Sequence, residues 1–240
     1  MTDVTGGIEN RVAALDWPGI EDDLDAAGVA ILPGLLTPPE CAAVADLYPR
    51  PGVFRSQVIM ARHGYGRGEY KYFAYSLPDF VQSLRCALYP RLAPTANRWN
   101  AAMTVDARFP DDHRTFLARC HAAGQDRPTP LILKYAPSDY NCLHQDVYGE
   151  HVFPLQTAIL LSQPARDFTG GEFVLTEQRP RMQSRAEVVP LTQGDAVIFA
   201  VRHRPVSGAR GVYRVNLRHG VSRLRSGERY TLGVIFHDAA

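Results

Sequence analysis

In LHQDVYGEHVFPLQTAILLS, residues 143–162, His144 and Asp146 stand two apart, ahead of a short apolar run. Side chains i and i+2 of an extended strand project from the same face, so both enter one space. A histidine and a carboxylate held that way can supply two ligands of one metal. The apolar run PLQTAILLS then reads as a strand of its own.

Around this stretch the chain is punctuated as a series of short strands. LILKYA precedes it, followed by a bend at APSDYN and the strand CLHQDVY. After it come a loop at QPARDFTGG, then EFVLTEQ, AEVVPL, a turn at TQGD, AVIFAV, a basic loop, YRVNLRHGV, a turn at RSGE and RYTLGVIFH. Closely spaced strands without crossover helices predict an antiparallel double-sheet jelly roll. The first half differs. Residues 18–50 read as a helix, a strand at Val29–Leu32 and a second helix, with Thr37 as N-cap, Pro38 and Pro39 in the first turn and Glu40 at the capping-box position. GYGRGEYKYFAY, within residues 52–75, predicts strands joined by a mobile loop. Helical spacing returns over 78–124, with Phe80, Leu84, Ala87 and Leu88 on one stripe and a second helix near Thr115–Ala123.

The expectation is one α+β, mainly β, domain over residues 1–240. A jelly-roll (double-stranded β-helix, cupin-like) catalytic core spans 129–240. Residues 1–128 form a helical and strand support with a substrate lid, its helices packed outside one sheet.

Composition removes several function classes. A 240-residue chain with 45% apolar residues can bury a sizeable core. Net charge is +1, so no global field recruits nucleic acid or an anionic membrane, and any such partner must be held locally. Cys41, Cys86, Cys120 and Cys142 form no CxxC pair, which predicts four reduced and mostly buried thiols. MTDVTGGIENRVAALDW lacks the basic start and apolar run of a signal peptide, and no segment reaches the ~20 apolar residues of a membrane span. A cytoplasmic protein without membrane association is expected.

A metal site needs more than HxD. The C-terminal run HGVSRLRSGERYTL, residues 219–232, offers His219 and, ten residues later, Arg229. HQD at 144–146, GGEF at 170–173, GDAVIF at 194–199 and HGVSRLRSGERYTL together resemble the Fe(II)- and 2-oxoglutarate-dependent dioxygenases, in the prolyl 4-hydroxylase-like branch. Order and spacing agree over 130–238. The run 143–184 is also similar to a bacterial group proposed to oxidise modified nucleic acids.

The resemblance implies that His144, Asp146 and His219 bind Fe(II) as a facial triad, leaving positions for 2-oxoglutarate and O2. It implies that Arg229 forms a bidentate pair with the distal carboxylate of 2-oxoglutarate, for which the guanidinium fork is suited. Tyr135, on the strand before HxD, resembles the tyrosine these enzymes aim at the co-substrate; a core aromatic is the alternative. Where some members carry a tyrosine on the strand after HxD, this chain has TAILL, which leaves the second partner of that carboxylate open.

His203, in AVRHRPVSG, competes with His219, which is preferred for its spacing to Arg229. His151 follows Asp146 too closely to rejoin the metal, His237 lies beyond the strand of Arg229, and Gly170 and Gly171 are expected to turn the chain beside the iron.

Eight arginines between 202 and 229 face one acid, Glu228, and could grip phosphates or form a solvated outer face. The aromatic residues of GYGRGEYKYFAY could stack a base or line a lid. A dioxygenase acting on nucleic acid is the first expectation. A hydroxylase of a prolyl residue or small metabolite, and a non-catalytic jelly-roll binding module, are the alternatives. Oligomeric state is not legible.

Overall fold

The capping signals around Thr37 act as their chemistry dictates. The Thr37 hydroxyl accepts from the Glu40 amide while the Glu40 carboxylate accepts from the Thr37 amide, which satisfies two of the orphan donors at the helix start. The computed structural model describes residues 4–209 and 211–240. Helices α1 (Val4–Ala13) and α2 (Trp17–Ala27) lead into strand β1 (Val29–Leu32) and helix α3 (Pro38–Ala45). Strands β2 (Phe54–Ile59), β3 (Gly66–Arg67) and β4 (Glu69–Phe73) follow, then helices α4 (Asp79–Ala102) and α5 (His113–Ala122). The rest is strand: β5 (Leu131–Tyr135), β6 (Tyr140–His144), β7 (Leu155–Leu160), β8 (Phe168–Gly170), β9 (Phe173–Gln178) and β10 (Arg185–Val189). It continues through β11 (Ala196–Ala200), β12 (His203–Gly208), β13 (Gly211–Val221), β14 (Leu224–Gly227) and β15 (Arg229–Val234).

Among the described residues the strands form two large antiparallel sheets and a separate pair, β8 with β14. The larger has the order β1-β11-β7-β15-β5-β4-β2; the smaller is β10-β9-β13-β6-β3, with β12 paired to β13. This is the expected jelly roll, and among the described residues the first 128 supply four of the strands as well as the five α-helices. Burial separates the sheets. Every residue of β7 and β11 is buried, because one face meets the smaller sheet and the other lies under the helices. In β9 buried and less buried residues alternate, as on a sheet with one solvated face. The helices therefore lie mainly over the larger sheet, and α2 and α4 also reach β12 at the edge of the smaller one.

Helix α4 carries Pro90 and Pro94 in its interior, where each proline removes a backbone donor at a cost of about 3 kcal/mol. Both prolines face solvent. The opposite stripe, Val81, Leu84, Leu88, Leu92, Ala96 and Trp99, is buried, and about 1.5–3 kcal/mol per large apolar side chain offsets that cost. Phe80 and Ala87 are only half-buried, and the stripe runs through Val81 instead. Among the described residues no helix is long and apolar enough to cross a membrane.

Three details differ from the sequence reading. The basic loop after AVIFAV is a hairpin, since His203–Gly208 pairs with β13; Pro205 is tolerated there because β12 lies at an edge and needs no donor on its outer side. QPARDFTGG and RSGE are not plain loops but hold β8 and β14, which pair with each other. The four cysteines are unpaired, yet only Cys41 and Cys120 are buried, while Cys86 and Cys142 are exposed.

Candidate metal centre and co-substrate pocket

Strands β6 and β13 pair so that His219 lies directly opposite His144, with a register shift between His219 and Val221. Directly opposed residues share a face. The two imidazole centroids are 4.2 Å apart. β6 ends at His144, but Asp146 still joins it: the Asp146 carboxylate lies 3.4 Å from His144 Nε2 through Oδ1 and 3.4 Å from His219 Nε2 through Oδ2. One ligand atom from each residue falls within 4.8 Å of the others. Asp146 and His219 are each 6% exposed.

The surroundings orient these groups. His144 Nδ1 donates to the Cys142 carbonyl at 2.7 Å, which puts the proton on Nδ1 and leaves Nε2 as a lone-pair donor facing Asp146. Tyr148 donates its hydroxyl to Asp146 Oδ1 at 2.7 Å. Gln145, between the two ligands, donates to Asn216 Oδ1 and the Leu217 carbonyl. Phe199 packs against His219 with centroids 4.6 Å apart.

Burial pushes the Asp146 carboxyl up, but the facing imidazoles of His144 and His219 outweigh it and hold the group well below the usual carboxylate range. Burial holds His219 down, aided by the neighbouring His144. For His144, burial is outweighed by Asp146 and its value rises. A buried carboxylate with two imidazoles at 3.4 Å is not closed by short charge-assisted hydrogen bonds of 2.7–2.9 Å. Two nitrogens and an anionic oxygen facing one point fit a divalent cation, and the N, N, O set with room beside it suits Fe(II).

These three residues line one cavity of about 210 Å³ together with Arg229, Tyr135 and Thr231. Arg229 opens β15 and pairs in register with Tyr135 on β5, at the edge of the same space. It is 1% exposed, and Nη1 donates to Thr231 Oγ1 at 2.6 Å. Its Nε has no partner, nor does the Tyr135 hydroxyl, and among the described residues no carboxylate lies within ion-pair distance of the guanidinium. Burial pulls the Arg229 pKa down to about 10, against raising contributions from Tyr135 and Glu172. A buried cation without an anion is expensive, and a carboxylate delivered into the cavity would satisfy it.

Gly170 and Gly171 lie beside this arginine. A Cβ on Gly171, whose φ is +67°, would sit 3.0 Å from Arg229 Cδ, so glycine is required by both backbone and space. Tyr70, Tyr72 and Tyr148 add an aromatic wall to the cavity.

The rival histidines lie elsewhere. His203 is half-buried on the β12–β13 hairpin, in a recess with Arg179 and Arg214. His237 is buried, and its Nδ1 accepts from the Phe153 amide. His151 holds Gln125 through its backbone. Sequence reasoning missed Thr231 and the bond from Tyr148 to Asp146. Thr231 was accessible from strand alternation, being two residues after Arg229 and on its face. No spacing rule marks Tyr148. Of TAILL only Ala158 lines the cavity, with Gln156 just before it, and Arg229 has Thr231 as its hydrogen-bond partner and Tyr135 opposite it on β5.

The arginine segment does not act as one patch. Arg204 is buried against Glu177, Arg229 faces the cavity, Arg202, Arg214, Arg218, Arg223 and Arg225 are exposed, and Arg210 lies outside the described residues.

The chain is 53% identical over 168 residues to an uncharacterized protein of Mycobacterium tuberculosis, an overlap of 70% of this chain and 72% of that one. Its fold is similar to a prolyl hydroxylase of Trichoplax adhaerens solved with a hypoxia inducible factor peptide, with TM-score 0.59 and 15% identity over 97% of this chain and 92% of that one. It is similar to a 2OG-Fe(II) oxygenase family oxidoreductase of Burkholderia pseudomallei, with TM-score 0.56 and 16% identity over 95% and 94%. Oxygenases of this superfamily use Fe(II), 2-oxoglutarate and O2. Residues 68–239 match the family Oxygenase-NA, described as an oxygenase catalysing oxidative methylation of damaged DNA, and the chain belongs to that family of oxidoreductases.

Proposed function

We propose that the cavity oxidises a C–H bond of a modified nucleobase. His144, Asp146 and His219 would hold Fe(II), and Arg229, with Thr231 and Tyr135, would hold the distal carboxylate of 2-oxoglutarate. Bound iron and 2-oxoglutarate supply the oxidation: one atom of O2 enters the substrate C–H bond as hydroxyl and the other leaves in succinate, with release of CO2. The observation that carries the reading is the buried Arg229 without a carboxylate partner, lining the same cavity as the His-Asp-His cluster.

The protein's own share is positioning. Tyr148 fixes one Asp146 oxygen by donating to it and leaves the other for the metal. The Cys142 carbonyl sets the tautomer of His144. Leu133, Phe173 and Phe199 give the cavity an apolar lining, and a low-dielectric lining strengthens charge interactions inside it. Tyr70, Tyr72 and Tyr148 offer faces and edges against which a planar base packs, an interaction worth roughly 1–3 kcal/mol per base.

The description of the family, which names damaged DNA, supports a nucleic-acid substrate. On an N-methyl group the hydroxylated product collapses to the free amine and formaldehyde, an oxidative demethylation, whereas on a ring or chain carbon the alcohol persists. The test is a panel of methylated oligonucleotides, proline-rich peptides and free amino acids, read by product mass and formaldehyde. Loss of a methyl group from an oligonucleotide with matching succinate is expected. Oxygen gained only by a peptide or amino acid would replace the nucleic-acid reading with the hydroxylase one.

A further inference from the structure

The smaller sheet carries a second polar recess on its outer face. His203, Asn216 and Gln178 lie in register across β12, β13 and β9, so all three share that face. His219 is three residues from Asn216, an odd separation that turns it to the inner face and the cavity. The recess has a volume of about 300 Å³ and is completed by Arg179, Arg181 and Arg214. It adjoins the mouth of the cavity: Gln145, which lines the cavity, donates at 2.8 Å to Asn216 Oδ1, which lines the recess. One hydrogen-bonded pair is the ridge between them.

The charge here is unbalanced. Glu177 accepts from Arg204 at 2.5 Å and from Arg179 at 2.7 Å, with Arg185 at 4.0 Å, so one carboxylate serves three guanidiniums. Among the described residues neither Arg181 nor Arg214 has a carboxylate within ion-pair distance. Arg181 is held in the β9–β10 turn with φ +62°, a conformation rare for a residue with a Cβ, and Gln178 pins that turn by donating to the Met182 carbonyl. Arg214 is fixed by donating to the Met103 carbonyl at 2.7 Å. Burial, with the guanidiniums of Arg202 and Arg214, holds His203 below the ordinary imidazole range, consistent with a positive field.

We propose that the recess formed by Arg179, Arg181, His203, Arg214 and Asn216 binds a backbone phosphate of the nucleic-acid strand whose base enters the cavity, an inference that rests on the nucleic-acid reading above. Convergent guanidiniums, a neutral imidazole and an amide are phosphate donors, and contacts of this kind set the register of a strand without reading its sequence. Asn216 and His219 are three residues, about 10 Å, apart along β13 but on opposite faces, so a short segment with a phosphate in the recess and a base in the cavity would pass over the Gln145–Asn216 pair.

The experiment is fluorescence anisotropy with an unmodified single-stranded oligonucleotide over a series of salt concentrations, using wild type, Arg181→Gln, Arg214→Gln and Arg114→Gln. Arg114 is exposed on α5, and its substitution removes the same charge from elsewhere on the surface. Arg181→Gln and Arg214→Gln are each expected to weaken binding about 5- to 10-fold at low salt, and to lower the salt slope by about 0.7, the value for one phosphate contact on a single strand. Arg114→Gln should track wild type. If the wild type binds and all three variants weaken alike, or none does, the recess is not the phosphate site and the nucleic-acid reading stands. If the wild type binds no oligonucleotide, both fall together. Arg181, in an exposed turn, keeps the test valid if Arg214→Gln fails to fold.

Discussion

His219 stands directly opposite His144 across the β13–β6 pairing, which brings their rings to 4.2 Å although 75 residues separate them in sequence (219 − 144). Register makes the site: a slip of one residue would turn His219 to the outer face and leave HxD without its second imidazole. His219→Ala is therefore expected to lose metal binding, and His203→Ala, on the outer hairpin, to keep it. Metal content after dialysis of the two variants decides. Loss from His203→Ala alone would reverse the choice.

Arg229→Gln removes the buried cation facing the cavity. A charge-assisted hydrogen bond contributes about 1.5–3 kcal/mol, so the apparent constant for 2-oxoglutarate should rise about 10- to 150-fold while iron affinity stays the same. Arg229→Lys, which keeps the charge but not the fork, should fall between. The measurement is a 2-oxoglutarate titration at saturating iron, followed by succinate. An unchanged titration in Arg229→Gln would remove Arg229 from the site.

Much of this was legible because jelly-roll strands are short and strongly punctuated, and because ligands on strands obey a period of two. Thr37 and Glu40 announced α3, and HxD announced two neighbouring ligands, although β6 ends at His144 and Asp146 lies just beyond it. β12 was hidden by Pro205 and by a run of charge, since edge strands carry neither the apolar alternation nor the donor pattern that marks a central strand. Long-range pairings were hidden too. Glu177 with Arg204, and Asp238 with Arg85, join residues 27 and 153 positions apart, and no local rule anticipates them.

Tyr148→Phe deletes the hydroxyl that donates to Asp146 Oδ1 and leaves the ring in place. Groups that orient metal ligands typically contribute 10- to 100-fold to affinity, and the lower end, about 10-fold, is expected for one neutral donor. A competition titration with a metal chelator reads it directly. Equal affinities in variant and wild type would show that the carboxylate needs no such support.

Stability should fall on mild acidification. His113 and His237 are 2% and 1% exposed, and burial first, then the Arg85 guanidinium, pulls them down to about 3 and about 4. Both are near 6.5 in the unfolded chain, which therefore binds more protons than the native state below that pH. Their contribution is present in full above 6.5 and is lost as the pH falls from 6.5 toward 4. With two groups the slope is at most about 2–3 kcal/mol per unit. Urea midpoints between pH 7 and pH 4.5 give the slope, and His113→Gln should reduce it by roughly half. A flat profile would contradict the assignment.

The central claim is that Asp146 is the anionic ligand of a single iron site which the fold does not need for its integrity. Anaerobic Fe(II) titration of wild type and Asp146→Ala, with a circular-dichroism melt of each, tests it most directly. The account predicts one Fe(II) per chain in the wild type, none retained by Asp146→Ala, and cooperative melting in both. Wild-type Fe(II) stoichiometry and succinate production in a folded Asp146→Ala would contradict it.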